Sequence, residues 1–358
     1  MPCSTSSLEH TGAPSAAELR KLPALSHCDF TLLIVTALTT CAVTAREWQL
    51  ARKGYMPTLS LHQGLWARQR NLLSKGSPGQ TVVIGSSRIK FGFDLEEWTR
   101  QSDNSKPFML AWPGGCPRPS LHDLAEDDAF AGKVICGYTP GLFFCSNDDH
   151  FALKTKPLAE YAQRWGPAEK AGQMLRLLLE PRLRMLLQTE VSPLEVARSW
   201  LALGRRAETM PTPRLPAFAF ITQDNRTRIH NWCLTDVPTR KQVTDAWQAA
   251  TSQAAFYAPA NTDAILESTR KDIAKIRARG GDVVFIRFPS TNWFRELERQ
   301  NFPRQLYWKR LLEATGCQGI HFEDYPELAR FGCPEWSHLS QDDALLFTRG
   351  LYKILHHP

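Results

Sequence analysis

Thr81-Val82-Val83-Ile84-Gly85-Ser86-Ser87-Arg88 is the stretch on which the reading of this chain turns. Four β-favouring residues run straight into Gly-Ser-Ser, and a helix-like segment, 94–100, follows. A strand that ends in a sharp turn before a helix is the repeating unit of α/β sheets, whose ligands bind outside the carboxyl ends of the strands. A serine at that position is held by rigid backbone, and nearby turn N–H groups can face a developing oxyanion. Small residues also suit any tight strand-to-helix turn, so a catalytic reading requires a partner elsewhere in the chain.

The same strand–helix rhythm recurs on either side of a central interruption. Phe108 to Trp112 reads as a second strand running into Pro113-Gly114-Gly115-Cys116-Pro117, with a helix from Ser120 to Ala131 after it. Val134 to Tyr138 reads as a third strand, ending at Thr139-Pro140-Gly141. Thr262 to Arg279 reads as a helix stopped by Gly280-Gly281. Asp282 to Pro289 then forms a fourth strand, Pro303 to Thr315 a helix, and Gly319 to Asp324 a fifth strand. This alternation predicts an α/β fold with a doubly wound, mostly parallel sheet and helices on both faces, an α/β/α sandwich.

A serine hydroxyl needs a base, and the base needs an acid on its other ring nitrogen. Both stand in Cys333-Pro334-Glu335-Trp336-Ser337-His338-Leu339-Ser340, which precedes a helix expected from Asp342 to Leu355. Glu335 and His338 are three residues apart in a loop entering a helix, so one turn can present both. Gly85-Ser86-Ser87 together with Glu335-x-x-His338 resembles the SGNH (GDSL-like) hydrolase superfamily. That family opens with Gly-Asp-Ser on its first strand and closes with Asp-x-x-His before its last helix. The Gly-Ser-Ser-Arg form is similar to a membrane-anchored branch that handles acyl groups on extracellular glycans, including the proteins of alginate acetylation and teichoic-acid D-alanylation. The resemblance covers roughly residues 78–150 and 262–358.

The resemblance implies a flavodoxin-like strand order, 2-1-3-4-5, and Ser87 as nucleophile, His338 as base and Glu335 as its orienting acid. It implies an oxyanion hole from the Ser87 N–H and a second-block glycine, Gly114 or Gly115. No cofactor and no metal are expected. The third block departs from the family: where Gly-x-Asn-Asp should stand, the strand ends in Gly-Tyr-Thr-Pro-Gly. Asn147-Asp148 follows several residues later, either folded back to the site or solvating a loop. Arg88 and Arg287, near strand ends, are candidate anchors for an anionic substrate, with a structural salt bridge the alternative for Arg287.

Residues 151–260 have a different texture and read as a mainly helical insertion over the carboxyl edge of the sheet. Leu175, Leu178, Leu179, Leu183, Leu186 and Leu187 recur at helical spacing, as do Val196, Trp200, Leu201 and Leu203, which predicts packing between helices. Pro211 to Pro216 reads as a linker and Phe218 to Ile221 as a short strand. Trp232, Trp247 and Tyr257 suit either sugar stacking or burial.

The chain's 358 residues suffice for one large α/β domain plus an insertion. A net charge of +7 favours anionic surfaces. No Lys/Arg run exceeds a pair and no nucleic-acid motif occurs, so nucleic acid is not an expected partner. Nine cysteines include no C-x-x-C. Outside the N-terminal region they are Cys116, Cys136, Cys145, Cys233, Cys317 and Cys333, an even set that suits either pairing or burial as thiols.

Residues 1–27 read as a disordered tail, 28–48 as a membrane anchor or signal segment, 49–80 as a helical linker and 81–358 as the α/β domain. Within this, Phe30 to Ala45 is free of charge, but at about 24 Å it is short of a roughly 30 Å hydrocarbon core. A single-pass anchor, a cleaved signal peptide and a buried helix all fit it. Arg46, Arg52 and Lys53 against Arg20 and Lys21 slightly favour a cytoplasmic C-terminus. The resemblance implies the opposite, an extracytoplasmic (periplasmic) domain on the inner or plasma membrane.

Three functions are open at this stage. A serine esterase or O-acyltransferase would act on an acylated cell-envelope glycan or acyl donor. A non-catalytic protein of the same fold would bind a glycan or another envelope-assembly protein. An unrelated α/β protein would bind an anionic polymer through its basic surface.

Overall fold

The three inner strands of the central sheet are short, mainly apolar runs covered on both faces, which is how parallel strands are usually found. The computed structural model describes residues 25–73, 79–103, 105–186, 192, 193, 197, 215–251 and 261–356. The tail to residue 24, the loop at 76–78, the linker over 211–214, and Leu187, Val196, Trp200, Leu201, Leu203 and Tyr257 lie outside them.

Five parallel strands, β1 (Thr81–Ile84), β2 (Phe108–Met109), β3 (Lys133–Tyr138), β6 (Asp282–Arg287) and β7 (Gln318–His321), form the sheet in the order β2-β1-β3-β6-β7. Counting only strands of this sheet, the order is 2-1-3-4-5. Register follows from pairs such as Val83 with Met109, Ile84 with Cys136, Cys136 with Phe285 and Ile286 with Ile320. The second strand is shorter than the expected 108–112, but its ladder continues through Leu110 N–H to Val83 and Trp112 N–H to Gly85.

Strand periodicity sorts the apolar residues into two cores, because alternate side chains point to opposite faces. Val82, Ile84, Val134, Cys136, Val283 and Phe285 face one way, with helices Gln63–Leu73, Arg118–Ala125 and Thr262–Ala278 supplying Trp66, Leu121 and Ile273. Val83, Ile135, Val284 and Ile286 face the other, against Ile89 of helix Ser87–Gly92, Phe93 just after it, and Phe347 and Leu351 of helix Gln341–His356. The fold is therefore a doubly wound α/β sandwich. Helix Gln63–Leu73, in the segment read as a linker, belongs to this core: Trp66 is buried and its Nε1 donates to the Leu110 carbonyl at 2.8 Å.

A second, antiparallel ribbon of β4 (Ala219–Ile221) and β5 (Thr227–Ile229) lies within the inserted region. Its turn is anchored to the main domain by polar contacts. Lys90 Nζ donates to Asn225 Oδ1 at 2.8 Å, Asn225 Nδ2 donates to the Met109 carbonyl at 2.9 Å, and Arg226 meets Asp94 at 2.5 Å. Asn225 takes a φ of 66°, a conformation asparagine tolerates better than most residues. Burial drives the Lys90 ammonium down to about 7.

The leucine stripe of the insertion is not the packing seam that periodicity suggested. In helix Pro167–Leu179, Leu175, Leu178 and Leu179 are exposed, as is Leu186. Gln173 and the adjoining Glu180 face inward instead, and the Glu180 carboxylate accepts from Ser60 N–H at 2.8 Å and Ser60 Oγ at 3.1 Å. A regular stripe identifies a shared face, while a polar pair with the right geometry decided which face turned in. Cys116, Cys136, Cys145, Cys233, Cys317 and Cys333 are all buried free thiols.

The chain divides into Met1–Trp48 and Gln49–Pro358. Helix Leu25–Arg52 contains a stretch from Cys28 with mean hydropathy 1.7 over its most apolar window, long and apolar enough to cross a membrane. That helix is longer than the uncharged run, and the added turns carry Asp29 on one side and Arg46, Glu47 and Arg52 on the other.

His230, at the end of the ribbon, gives the domain an acid-side weakness. It is buried against Phe220 and Trp232, and burial lowers its imidazole to about 4. The unfolded chain binds that proton near the ordinary histidine value, so stability is complete above it and falls as pH drops toward 4. Thermal unfolding midpoints are expected to decline between pH 7 and 4.5, and less steeply in His230→Phe.

Candidate active site

The site lies where β1 is flanked by β2 on one side and β3 on the other, so the chain leaves their carboxyl ends in opposite directions. This is the switch point at which open α/β sheets bind ligands. Gly85 has a φ of 145°, and a β-carbon there would sit 2.5 Å from Ile89 Cγ2 and 3.1 Å from the Gly137 backbone. A side chain at Gly137 would collide with Ile89 at 2.6 Å. These two glycines let helix Ser87–Gly92 begin directly on the sheet, which holds Ser86 and Ser87 at the edge of a cavity of about 530 Å3.

The two serines differ in environment. Ser86 is buried and its Oγ lies 2.8 Å from Thr139 Oγ1, at the end of β3. Ser87 is half-buried, and among the described residues no group hydrogen-bonds its hydroxyl. Both line the cavity.

His338 enters the same cavity from the loop before the last helix. Its Nδ1 lies 2.9 Å from Glu335 Oε1, which also accepts the His338 backbone N–H at 2.6 Å. Glu335 is fully buried, and its Oε2 accepts from Trp247 Nε1 at 2.5 Å. The carboxylate can curl back on its own chain because Trp336 adopts a φ of 78°. A bulky residue in that region costs about 1–3 kcal/mol and persists only where its surroundings hold it. Here the Trp336 carbonyl accepts from Thr291 N–H at 3.0 Å and the Trp336 N–H donates to Cys333 at 3.0 Å. The imidazole stacks on Phe91, with ring centroids 4.1 Å apart. Its Nε2 is buried and has no hydrogen-bond partner among the described residues.

His338 and Ser87 thus converge on one cavity with Glu335 buried behind the imidazole, the Glu335–His338 pair formed and the His338–Ser87 hydrogen bond not made. Such contacts commonly tighten only with substrate bound. Trp247, from helix Val237–Thr251 of the insertion, completes the carboxylate's hydrogen bonds through its Nε1 and also lines the cavity. For a Ser87–His338–Glu335 hydrolytic triad, the expectation from the resemblance, Trp247→Phe should lower kcat by about tenfold or more, the usual worth of a hydrogen bond to a charged group. Ester hydrolysis measures this, with an unchanged circular dichroism spectrum as the folding control.

The remaining expected residues are distributed differently. Gly114, at φ 60°, lines the cavity, and its N–H has no acceptor among the described residues. Gly115 N–H donates to the Trp112 carbonyl at 3.1 Å, and a side chain on Gly115 would meet Thr155 at 2.5 Å, so Gly115 serves the turn. Asn147 is exposed and accepts from Arg118 at 2.9 Å; it does not line the cavity. Arg88 reaches the cavity wall, but its guanidinium pairs with Glu298 at 2.6 Å and stands over the Phe294 ring. Arg287 pairs with the other oxygen of Glu298 and lines a separate cleft. Burial alone would raise the Glu298 carboxyl, but Arg287 and Arg88 outweigh it and hold it below the ordinary range. This buried triad is the salt bridge considered for Arg287, and it fixes the helix that carries Ser87.

Two residues missing from the motif reading join the site. Thr139 stands where the resemblance implies an asparagine, though its hydroxyl is bonded to Ser86. Lys154 lines the cavity beside Gly114, where a β-carbon would lie 3.3 Å from its Nζ. Its ammonium stands 5.5 Å over the Phe151 ring and meets no carboxylate within 4 Å among the described residues. Burial lowers its pKa. Thr139 holds the third position of Gly137-Tyr138-Thr139, whereas Lys154 belongs to no recognisable spacing and only the folded loops reveal it.

Among the described residues, one group of three potential metal ligands occurs, His122, Glu126 and Asp272, away from the cavity lining. Two of its carboxylates are already engaged, Asp272 by His122 at 3.0 Å and Glu126 by Lys275 at 2.5 Å. No protein-family model matches the chain, and no curated protein matches it.

Proposed function

We propose that this protein is a serine esterase or O-acyltransferase of the SGNH type, with Ser87 as nucleophile, His338 as base and Glu335 as the acid that orients it. The observation that supports this most strongly is the unpartnered, buried Nε2 of His338 in a cavity that also holds the Ser87 hydroxyl, while Nδ1 is fixed by Glu335.

Ser87 Oγ attacks the ester carbonyl carbon, and its proton passes to His338 Nε2. Glu335 holds the imidazole in the tautomer that leaves Nε2 free and stabilises the imidazolium formed. The negative charge on the carbonyl oxygen is met by the Gly114 N–H, the Ser87 N–H and the Lys154 ammonium. Lys154 supplies a charge where the family's asparagine is missing. The tetrahedral intermediate collapses, the C–O bond to the alcohol breaks, and Nε2 returns its proton to the leaving oxygen. Water or an acceptor hydroxyl, deprotonated by the same nitrogen, then releases the acyl group from Ser87.

The resemblance implies an acylated cell-envelope glycan as donor or acceptor. It also implies anchoring to the inner or plasma membrane through the N-terminal helix, with the domain extracytoplasmic. An alkaline phosphatase fused after Pro358 should then be active, and activity of a cytoplasmic-only reporter there would refute the placement.

A second reading, a non-catalytic binding partner of the same fold, is favoured by the missing Ser87–His338 hydrogen bond and by the occupied Gly115 N–H. Release of p-nitrophenolate from p-nitrophenyl esters separates the two. The enzyme reading requires turnover that His338→Gln abolishes; the absence of turnover on every ester would favour the binding reading.

A further inference from the structure

We propose that the cavity beside Ser87 is an acyl-chain pocket and that the preferred substrate is an ester of a medium-length aliphatic acid rather than an acetyl ester. This rests on the serine-acyl reading above and names its substrate class.

The cavity's size and lining carry the inference. Its volume of about 530 Å3 is far beyond the needs of an acetyl group, and lies within the roughly 300–1,000 Å3 range of pockets that enclose whole small ligands. Phe91, Leu142, Phe151, Phe218, Trp247 and Phe294 form much of its wall. Several of its polar neighbours are already satisfied: Ser86 by Thr139, and Arg88 by Glu298 with Ser337 at 3.5 Å. Ser87, His338 Nε2, Lys154, the Gly114 N–H and the Thr227 hydroxyl, which is buried without a partner among the described residues, remain to meet the contents, enough for a carbonyl group but too few for the several hydroxyls of a sugar ring. A sugar ring in this space would leave most of its hydroxyls without partners, at a cost for each. An alkyl chain asks for no partners and gains from every methylene that it buries. The acyl group therefore occupies the pocket, and any glycan moiety stays outside it.

The test uses the full chain and p-nitrophenyl esters from acetyl to decanoyl. Each buried methylene should raise kcat/KM about fourfold until the pocket is full, so octanoyl, six methylenes longer, should exceed acetyl by about a thousandfold or more. Ala219 and Ala250 line the cavity from β4 and from helix Val237–Thr251. Ala250→Trp should lower kcat/KM for the octanoyl ester at least tenfold and move the optimum to shorter chains. Ala219→Trp, on a different element, should do the same and guards against misfolding of the first variant. Calorimetric titration of Ser87→Ala with decanoate should show saturable binding that either tryptophan removes, with no binding of acetate.

An acetyl ester cleaved as well as or better than the octanoyl ester would overturn the proposal and leave the serine reading standing. If no ester is cleaved, decanoate decides: saturable binding sensitive to Ala250→Trp supports the pocket while the serine reading fails, and no binding overturns the pocket.

Discussion

Ser87→Ala is expected to abolish acyl-enzyme formation and lower turnover by several orders of magnitude, whereas Ser86→Ala should retain much of the wild-type rate. The difference follows from where the two hydroxyls point. Ser86 is buried with its Oγ on Thr139, whereas the Ser87 hydroxyl is open to the cavity that holds His338 Nε2. Removing a nucleophile eliminates the covalent route altogether. Removing Ser86 takes away one supporting hydrogen bond, worth about 1 kcal/mol or somewhat more. Glu335→Gln should fall between them, since the imidazole keeps a neighbour but loses the charge that stabilises its protonated form. Rapid-quench mass measurement of the acylated protein and steady-state hydrolysis would both read the series. Equal losses at Ser86 and Ser87 would mean that the register is misassigned.

The largest stability effect is expected at Glu298. Its two oxygens meet Arg88 and Arg287, and all three side chains are buried. Glu298→Ala leaves two guanidiniums without a counter-charge, a change that costs about 3–5 kcal/mol in buried pairs. For a domain of this size that corresponds to a fall of about 10 °C in the thermal midpoint. Replacing all three residues together, Arg88→Met, Glu298→Leu and Arg287→Met, should recover most of the loss, because no uncompensated charge remains. Unfolding followed by circular dichroism measures both. Since Arg88 follows Ser87 directly, Glu298→Ala should also reduce turnover in the fraction that remains folded.

The legible parts of this fold were those governed by local rules. Val82 to Ile84, Val134 to Cys136 and Val283 to Ile286 are buried on both faces, so their apolar runs announced parallel strands before any pairing was known. Gly85 announced a turn because only glycine fits its φ and its contact with Gly137. The Glu335–His338 pair was legible because three residues of chain bring both into one turn. The strand order came from the resemblance alone, and no local signal in 81–84 or 108–109 carries it.

The illegible parts depend on contacts between distant segments. The Gly115 N–H is taken by Trp112, an outcome of loop closure that a Gly-Gly pair does not reveal. Asn147 was drawn to Arg118 and Arg287 to Glu298, partners that no spacing rule connects. The stripe of Leu175, Leu178 and Leu179 faced outward because helical periodicity names a face without naming what covers it. Lys154 and Trp247 reached the site from the inserted region, each placed by tertiary packing.

The proposed chemistry requires a nucleophilic Ser87 activated by His338. Peptide mapping after treatment with a fluorophosphonate tests this most directly, because the reagent forms a stable adduct only with an activated serine. The expected result is a single adduct on Ser87 that disappears in His338→Gln. No adduct on the folded protein, or an adduct on Ser86 or any other serine, would contradict it.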